Sequence, residues 1–304
     1  MADLSVRLGP IALRNPVMSA SGTFGYGAEL ERFFDPGTLG AIVGKSITLE
    51  PRAGNAPPRM IETAAGMINS IGLQNPGIDR FLDELLPRMA RYGPPVIVNV
   101  AGKSTEEFVE LASRLDGAPG AAALELNLSC PNVKEGGLSF SADPRSCAAT
   151  VAAVRRATRL PIFAKLTPNV SDVAAVARAA ESAGADGLSL INTLLAMAVD
   201  WRRRTGLVTT LTGGLSGPAI KPIALRMVWE VARAVRIPVI GIGGIATAED
   251  VLEFMVAGAR AVQIGTATFV DPAAIPKAIA GLDRLLDAER IARVEDVVGT
   301  LRCG

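Results

Sequence analysis

Short, unbroken apolar runs recur along the chain, and between them lie longer segments whose apolar residues return at helical spacing. An unbroken apolar run marks a strand buried on both faces of a parallel sheet, and the intervening spacing marks amphipathic helices. The runs predict strands over Val17–Ala20, Ala41–Val43, Pro95–Val100, Pro161–Leu166, Gly187–Ile191, Pro238–Ile242 and Ala261–Ile264. The stretch Leu124–Asn132 begins as a further strand in which Leu124, Leu126 and Leu128 alternate with polar residues and which Pro131 stops. Helices are predicted over Ala28–Phe34, residues 78–91, Thr105–Leu115 with Ser104 or Thr105 as N-cap, and Pro144–Thr158. Others run from Ser171 or Asp172 to near Gly184, over Pro218–Val235, and over Thr247–Ala257 with Gly258 as the stop, and the remainder reads as helical. Ahead of this series, Leu4–Leu8 and Ile11–Leu13 flank Gly9-Pro10 and predict a hairpin, a lid or plug.

Such alternation predicts an α/β fold, a (β/α)₈ TIM barrel forming a single domain over residues 1–304. Residues 1–16 are its N-terminal hairpin, and 47–76 and 194–217 are long loop insertions over the C-terminal face of the strands. Connections of that length are usually functional. The alternative is an open doubly wound sheet, since Gly241-Ile242-Gly243-Gly244-Ile245-Ala246 has the G-x-G-x-x-A spacing of a dinucleotide turn. Too little chain follows to complete a dinucleotide half-domain. The same glycines suit the phosphate site of barrel loops after strands seven and eight.

Charge and composition narrow the chemistry. The 31 basic and 30 acidic residues nearly cancel, with no long run of one sign, so neither nucleic acid nor an anionic membrane is an expected partner. No apolar run reaches the roughly 18 residues of a membrane span, and no signal segment opens the chain. There is no histidine, which removes the histidine-based triad and the commonest zinc ligand, so acid–base work falls to Cys, Lys, Asp, Glu or Tyr. Cys130, Cys147 and Cys303 are too few and too scattered for a disulfide framework or a metal motif. The expectation is a cytoplasmic protein without a metal site.

Barrel active sites form where strands end. The predicted strand ends carry Ser21, Lys45, Ser46, Asn99, Asn127, Cys130, Lys165, Asn192 and Thr193, with glycine-rich turns after the last two strands. Any one of these could cap a loop or reach solvent, but a stability role does not require them all at one mouth. Two lysines imply a bound anion or developing negative charge. Glycines with free N–H groups imply a phosphate. Several Asn and Ser groups suit a flat amide-rich heterocycle, and a thiol at a loop suits proton abstraction. A non-redox phosphate-binding barrel, an isomerase or synthase, would use the glycines but not Cys130 with two lysines. A catalytically idle binding subunit would need none of the set.

The motifs carrying these residues resemble the FMN-dependent dihydroorotate dehydrogenases along essentially the whole chain. They are SASGTFGYG at 19–27, GKSIT at 44–48, NSIGLQNPG at 69–77, VNVAG at 98–102, ELNLSCPNVKEGG at 125–137, KLTPNV at 165–170, INT at 191–193, GGLSGPAIKP at 213–222, IGIGGI at 240–245 and QIGTA at 263–267. The resemblance implies oxidation of (S)-dihydroorotate to orotate in pyrimidine biosynthesis. Cys130 would take the C5 proton while hydride leaves C6 for flavin N5. A cysteine at that position, and the lack of an N-terminal extension, mark class 1.

By the same resemblance, FMN would be held by Ser21, Lys45, Ser46, Asn99, Asn127, Lys165, Ile191, Gly217, Gly243, Gly244, Gly265 and Thr266. The substrate would be held by Lys45, Asn69, Ser70, Ile71, Gly72, Leu73, Asn127, Asn192 and Thr193. The segments after Cys130 and at Asn69–Gly72 look like class 1B. That class implies NAD⁺ as final acceptor, through an electron-transfer subunit carrying FAD and a [2Fe–2S] cluster, in a heterotetramer of two catalytic and two electron-transfer chains. Three scattered cysteines cannot hold the cluster here. The alternative is class 1A, a fumarate-linked homodimer. Cys147 and Cys303 are expected to be dispensable.

Overall fold

The computed structural model describes residues 2–129, 131–132 and 138–302. Strands β1 (Val6–Leu8) and β2 (Ile11–Leu13) pair antiparallel, with Val6 opposite Leu13 and Leu8 opposite Ile11. Val6, Leu8 and Leu13 are buried, and Gly9 lies against the backbone just ahead of strand β12 (Gly187–Leu190). The hairpin is therefore a plug at the N-terminal end of the strands, away from the predicted mouth.

The barrel is built from β3 (Val17–Ser19), β4 (Ile42–Val43), β7 (Val96–Val100), β8 (Ala121–Asn127), β11 (Ile162–Lys165), β12, β17 (Val239–Ile242) and β18 (Ala261–Ile264). All pair in parallel, in the order β3-β18-β17-β12-β11-β8-β7-β4. A parallel bridge from Met18 to Ala41 joins the two ends and closes the ring. Nearly every barrel-strand residue is buried, as the unbroken apolar runs require.

Helices α3 (Thr105–Leu115), α4 (Pro144–Ala157), α5 (Val173–Ser182), α6 (Lys221–Ala234), α7 (Ala248–Val256) and α9 (Ala274–Ala288) pack outside. Their starts are set by side-chain caps. Ser104, Asp143 and Asp172 each accept a bond from a first-turn N–H, and Thr247 with Asp250 forms a capping box. Ser104 rather than Thr105, and Asp172 rather than Ser171, carry the caps. The helix predicted over 78–91 runs as α1 (Ile78–Arg80), a π turn over Phe81–Leu85, and α2 (Leu86–Ala90). Pro87 has no N–H and crowds the preceding turn, and the widened turn lies just ahead of it.

Three expectations are corrected. Ala28–Phe34 is a run of turns, not a helix. Gly25 and Gly27 sit at φ 63° and 100°, and the chain closes tight turns from Leu30 to Gly27 and Phe33 to Leu30. The stretch is too short to repay helix nucleation without packing along one face. The remainder after β18 is helical only as α8 (Ala267–Val270), α9 and a 3₁₀ turn over Val294–Val297.

The third correction concerns the two insertions, which are not loops. The first carries β5 (Met60–Thr63) and β6 (Gly66–Asn69), and the second carries β13 (Leu194–Met197), β14 (Val199–Asp200), β15 (Thr205–Gly206) and β16 (Thr212–Ser216). They join as one antiparallel sheet, β13-β16-β6-β5, in which Gly214 faces Asn69 and Ser216 faces Met67. Strands β9 (Pro131–Asn132) and β10 (Leu138–Ser139) pair as a small hairpin after β8.

Candidate active site

The site begins one layer below the mouth, with a charged group inside the barrel. Glu125, on β8, is fully buried. One carboxylate oxygen accepts from Asn99 Nδ2 at 2.6 Å, and the other accepts from Gln263 Nε2 at 2.6 Å. Strands β8 and β18 are not neighbours in the sheet, so this second bond crosses the interior. Lys165, 5% exposed, approaches the same carboxylate at 3.4 Å and donates to Ser21 Oγ at 3.3 Å on the far side of the ring. The interior below the mouth is thus polar. A buried carboxylate left without partners costs about 3–5 kcal/mol, so these contacts belong to the fold as much as to the site.

Two residues further along β8, Asn127 faces the same way, by the alternation of strand side chains. Asn192, just after β12, donates through Nδ2 to Asn127 Oδ1 at 3.1 Å and to Ser129 Oγ at 2.9 Å. Its own carbonyl accepts from Thr193 N at 2.8 Å. Among the described residues the Asn127 NH₂ has only a long contact of 3.5 Å, to buried Ser46. It is the loosest donor of the group and the one placed to take a new acceptor.

Lys45 follows β4, with its backbone N–H fixed to Gly25 O at 2.8 Å. Its side chain is half-buried and makes no ion pair with a described residue. Burial, and then the positive charge of Arg59, hold its ammonium below the ordinary lysine range against a smaller opposing pull from Glu29. A cation kept in that setting favours an anionic ligand.

A second set of residues surrounds the ends of β17 and β18. Gly217, Gly243 and Gly244 have φ of 94°, 128° and 77°. A Cβ at Gly244 would lie 2.7 Å from Lys221 Cβ and 2.9 Å from Gly217 O, so the backbone segments touch there. No acceptor among the described residues meets the N–H groups of Gly243, Gly244, Gly265 or Thr266. Free N–H groups on neighbouring turns, those of Gly243 and Gly244 at positive φ, suit a nest for an anion. Thr266 Oγ1 and Ser216 Oγ, 2.8 Å apart, tie this nest to the insertion sheet. Lys221 is drawn away from it, paired with Asp250 and with Glu253 at 2.7 Å. Ile191 is buried beside it, donating its N–H to Ile242 O at 2.9 Å.

The insertion sheet brings Asn69 to this end of the barrel, with Asn69 Nδ2 on Gly214 O at 3.3 Å. The space above Gly214 is filled by Thr193, whose Oγ1 would sit 2.1 Å from an added Cβ. Ser70, Ile71 and Leu73 are held differently. Ser70 N bonds Arg59 O, Asn55 N bonds Ile71 O, and Asn75 Nδ2 bonds Leu73 O. Gly72, at φ 77°, lies against Asn55. Among the described residues none of Ser70–Leu73 is hydrogen-bonded to Lys45, Asn127 or Asn192. Asn75 anchors this segment by reaching Thr48 Oγ1 and Gly77 N.

Cys130 lies outside the described residues, as do Cys303 and Gly136-Gly137. Cys147 is buried on α4, where burial, with a smaller push from Asp143, lifts its thiol to about 12. Three participants escaped the sequence reading: Glu125, Gln263 and Asn75. Glu125 did leave a signal, an acid between Leu124 and Leu126 in a predicted barrel strand. Among the described residues no cluster of His, Cys, Asp and Glu could hold a metal, and no helix is long and apolar enough to cross a membrane.

The family model described as dihydroorotate dehydrogenase matches residues 3–286. A protein of Pelobacter propionicus named dihydroorotate dehydrogenase B (NAD(+)), catalytic subunit, is 54% identical over 301 residues, covering 99% of both chains. A protein of Geobacter sulfurreducens with the same name is 54% identical over 299 residues, covering 98% of both. The crystal structure of the Eimeria tenella dihydroorotate dehydrogenase with ferulenol superposes with a TM-score of 0.80 at 24% identity, covering 98% of this chain and 88% of that one. At that identity the superposition speaks for the barrel alone.

Proposed function

The chain belongs to the dihydroorotate dehydrogenase family, and from that membership we infer that it is the FMN-carrying catalytic subunit of an NAD⁺-linked enzyme oxidising (S)-dihydroorotate to orotate in pyrimidine biosynthesis. The observation that carries the reading is the convergence, at one barrel mouth, of the Asn127–Asn192 amide pair, the half-buried Lys45 cation and a nest of free N–H groups. The first suits a pyrimidine edge, the second a carboxylate, the third a phosphate.

The residues present fit FMN. The nest at Gly217, Gly243, Gly244, Gly265 and Thr266 would take the phosphate. In the layer below, Asn99 and Gln263 turn their NH₂ groups to Glu125, which leaves Asn99 Oδ1 and Gln263 Oε1 buried without a donor. Ser21, Ser46, Asn127, Lys165 and Ile191 complete the set that would hold the ring. When bound, FMN accepts the electron pair that leaves the substrate.

The chain's own residues would do the rest. The Asn127 NH₂ and the Asn69 and Asn192 amides meet the carbonyl and N–H edges of the pyrimidine. Lys45 and the backbone of Ser70–Leu73 hold its carboxylate, beside Thr193. Cys130 Sγ, next in sequence to the Ser129 whose hydroxyl accepts from Asn192, takes the C5 proton. The thiolate is the active base, and an ordinary thiol is mostly protonated at neutral pH, so this limb of turnover rises with pH.

The relatives' names, as catalytic subunits, support a separate electron-transfer subunit. It would carry FAD and the [2Fe–2S] cluster, two copies of each chain forming the assembly. A cytoplasmic location fits three scattered cysteines without the spacing of a disulfide framework. The test is acceptor choice. The purified chain, once reduced by dihydroorotate, is offered fumarate and NAD⁺ separately. Reoxidation by neither, with NAD⁺ turnover on adding the partner subunit, is the expected result. Turnover with fumarate by the chain alone would contradict the NAD⁺-linked assignment.

A further inference from the structure

The proposed mechanism gives no work to the one charge that sits deepest in the barrel. Glu125 is fully buried and uses both oxygens, toward Asn99, Gln263 and Lys165. A salt bridge in that position is weak evidence for stability, because desolvation offsets the attraction and an apolar pair of similar volume serves as well. A structural explanation therefore leaves the choice of an acid unexplained.

Its geometry has two consequences. A carboxylate only accepts, so both facing amides must present NH₂ to it, and their oxygens are turned elsewhere. Asn99 Oδ1 and Gln263 Oε1 are thereby buried without a donor among the described residues. The carboxylate also lies 3.4 Å from Lys165, whose ammonium reaches toward the mouth through Ser21. Such a neighbour opposes the potential of the cation at a third point to the extent that the two distances are alike, and in a medium of low dielectric removing either charge is strongly felt there.

We infer that Glu125 is a positioning residue that sets the electrostatic potential beneath the cofactor: it neutralises Lys165 and fixes the amide faces of Asn99 and Gln263. Among the described residues Lys45, beside Arg59, then carries positive charge at the mouth without an ion pair, on the side assigned to the substrate. The protein tunes a cofactor through the charges near its ring, and here the tuning group is one layer removed from contact.

This inference rests on the FMN reading, and the test separates the two. The two-electron midpoint potential of FMN bound to the purified holoprotein is measured against a reference dye. Lys165→Met leaves Glu125 as an unpaired anion, and the potential should fall by the equivalent of at least tenfold in the reduction equilibrium, ~30 mV for a two-electron couple. Adding Glu125→Gln in that background removes the anion and should return most of the shift. Glu125→Gln alone should move the potential upward, and Glu125→Asp, which keeps the charge, should stay nearer wild type.

If Glu125→Gln alone does not fold, the double variant carries the test, since it buries no unpaired charge. The inference is overturned if the second substitution leaves the Lys165→Met potential where it was, or if Glu125→Gln and Glu125→Asp shift it alike. It is also overturned if Glu125→Asp cannot retain FMN, because the role is then structural. Absence of FMN from the wild-type chain would instead sink the cofactor reading.

Discussion

Asn192 Nδ2 donates at once to Asn127 Oδ1, 3.1 Å away, and to Ser129 Oγ, 2.9 Å away. One amide thus fixes a second amide and the residue preceding Cys130. Asn192→Ala frees both. Losing such a hydrogen bond to a buried partner costs about 1–3 kcal/mol, which is about 5- to 150-fold in an equilibrium. The expected result is a rise of that size in KM for dihydroorotate, with the visible flavin spectrum unchanged. Steady-state kinetics with a spectrum of the same sample checks both halves.

Lys45 predicts a pH dependence with a definite sign. Its folded-state value lies below the ordinary 10.5, through burial first and Arg59 second. Between the folded and unfolded values the unfolded chain binds the extra proton, so the contribution of Lys45 to stability rises with pH across that window. Binding of an anion runs the opposite way, because it needs the ammonium. Orotate affinity should fall as pH rises through the lowered value, starting below 10.5. Lys45→Met should weaken binding and flatten that limb. A calorimetric titration series over pH reads both effects.

Gly244 predicts a loss confined to the nest. An added Cβ meets Lys221 Cβ at 2.7 Å and must adopt φ 77°. Lys221 cannot give way, since it is paired to Asp250 and Glu253. Gly244→Ala should cost about 1–3 kcal/mol in backbone strain and weaken FMN at least tenfold. Fluorescence titration of the apo-protein with FMN would show this, and unchanged affinity would remove the nest from the cofactor site.

Cys147 predicts silence. With its thiol lifted to about 12 by burial, it is neither nucleophile nor base at neutral pH. Cys147→Ala should keep full turnover, at a stability cost of about 1–2 kcal/mol for the small cavity left. Mass spectrometry after mild alkylation of the native chain should find Cys147 unmodified.

What the chain disclosed of this structure follows from the range of the interactions involved. Barrel strands such as Ile162–Lys165 are read locally, because burial on both faces writes an unbroken apolar run. Helix starts such as Asp172 are local as well, since the cap and its N–H are three residues apart. The insertion sheet escapes, because β6 and β16 pair across far-separated segments and their exposed faces carry no alternation. Ala28–Phe34 has helical spacing but too few residues, and the glycine turns before it decide its path. At the site, polar residues at strand ends were legible because the barrel fixes where strands end. Glu125 and Gln263 lie one layer deeper, and only closure of the ring brings them together.

The most direct test of the central assignment is anaerobic mixing of the purified, flavin-loaded chain with dihydroorotate, followed by visible absorbance, in wild type and in Cys130→Ala. The account predicts rapid bleaching of the wild type. It predicts that the variant keeps its yellow flavin and bleaches more slowly by at least ~10²-fold, the lower range for loss of a general base. A wild-type sample that holds flavin and does not bleach, or a Cys130→Ala sample that bleaches at the wild-type rate, would contradict it.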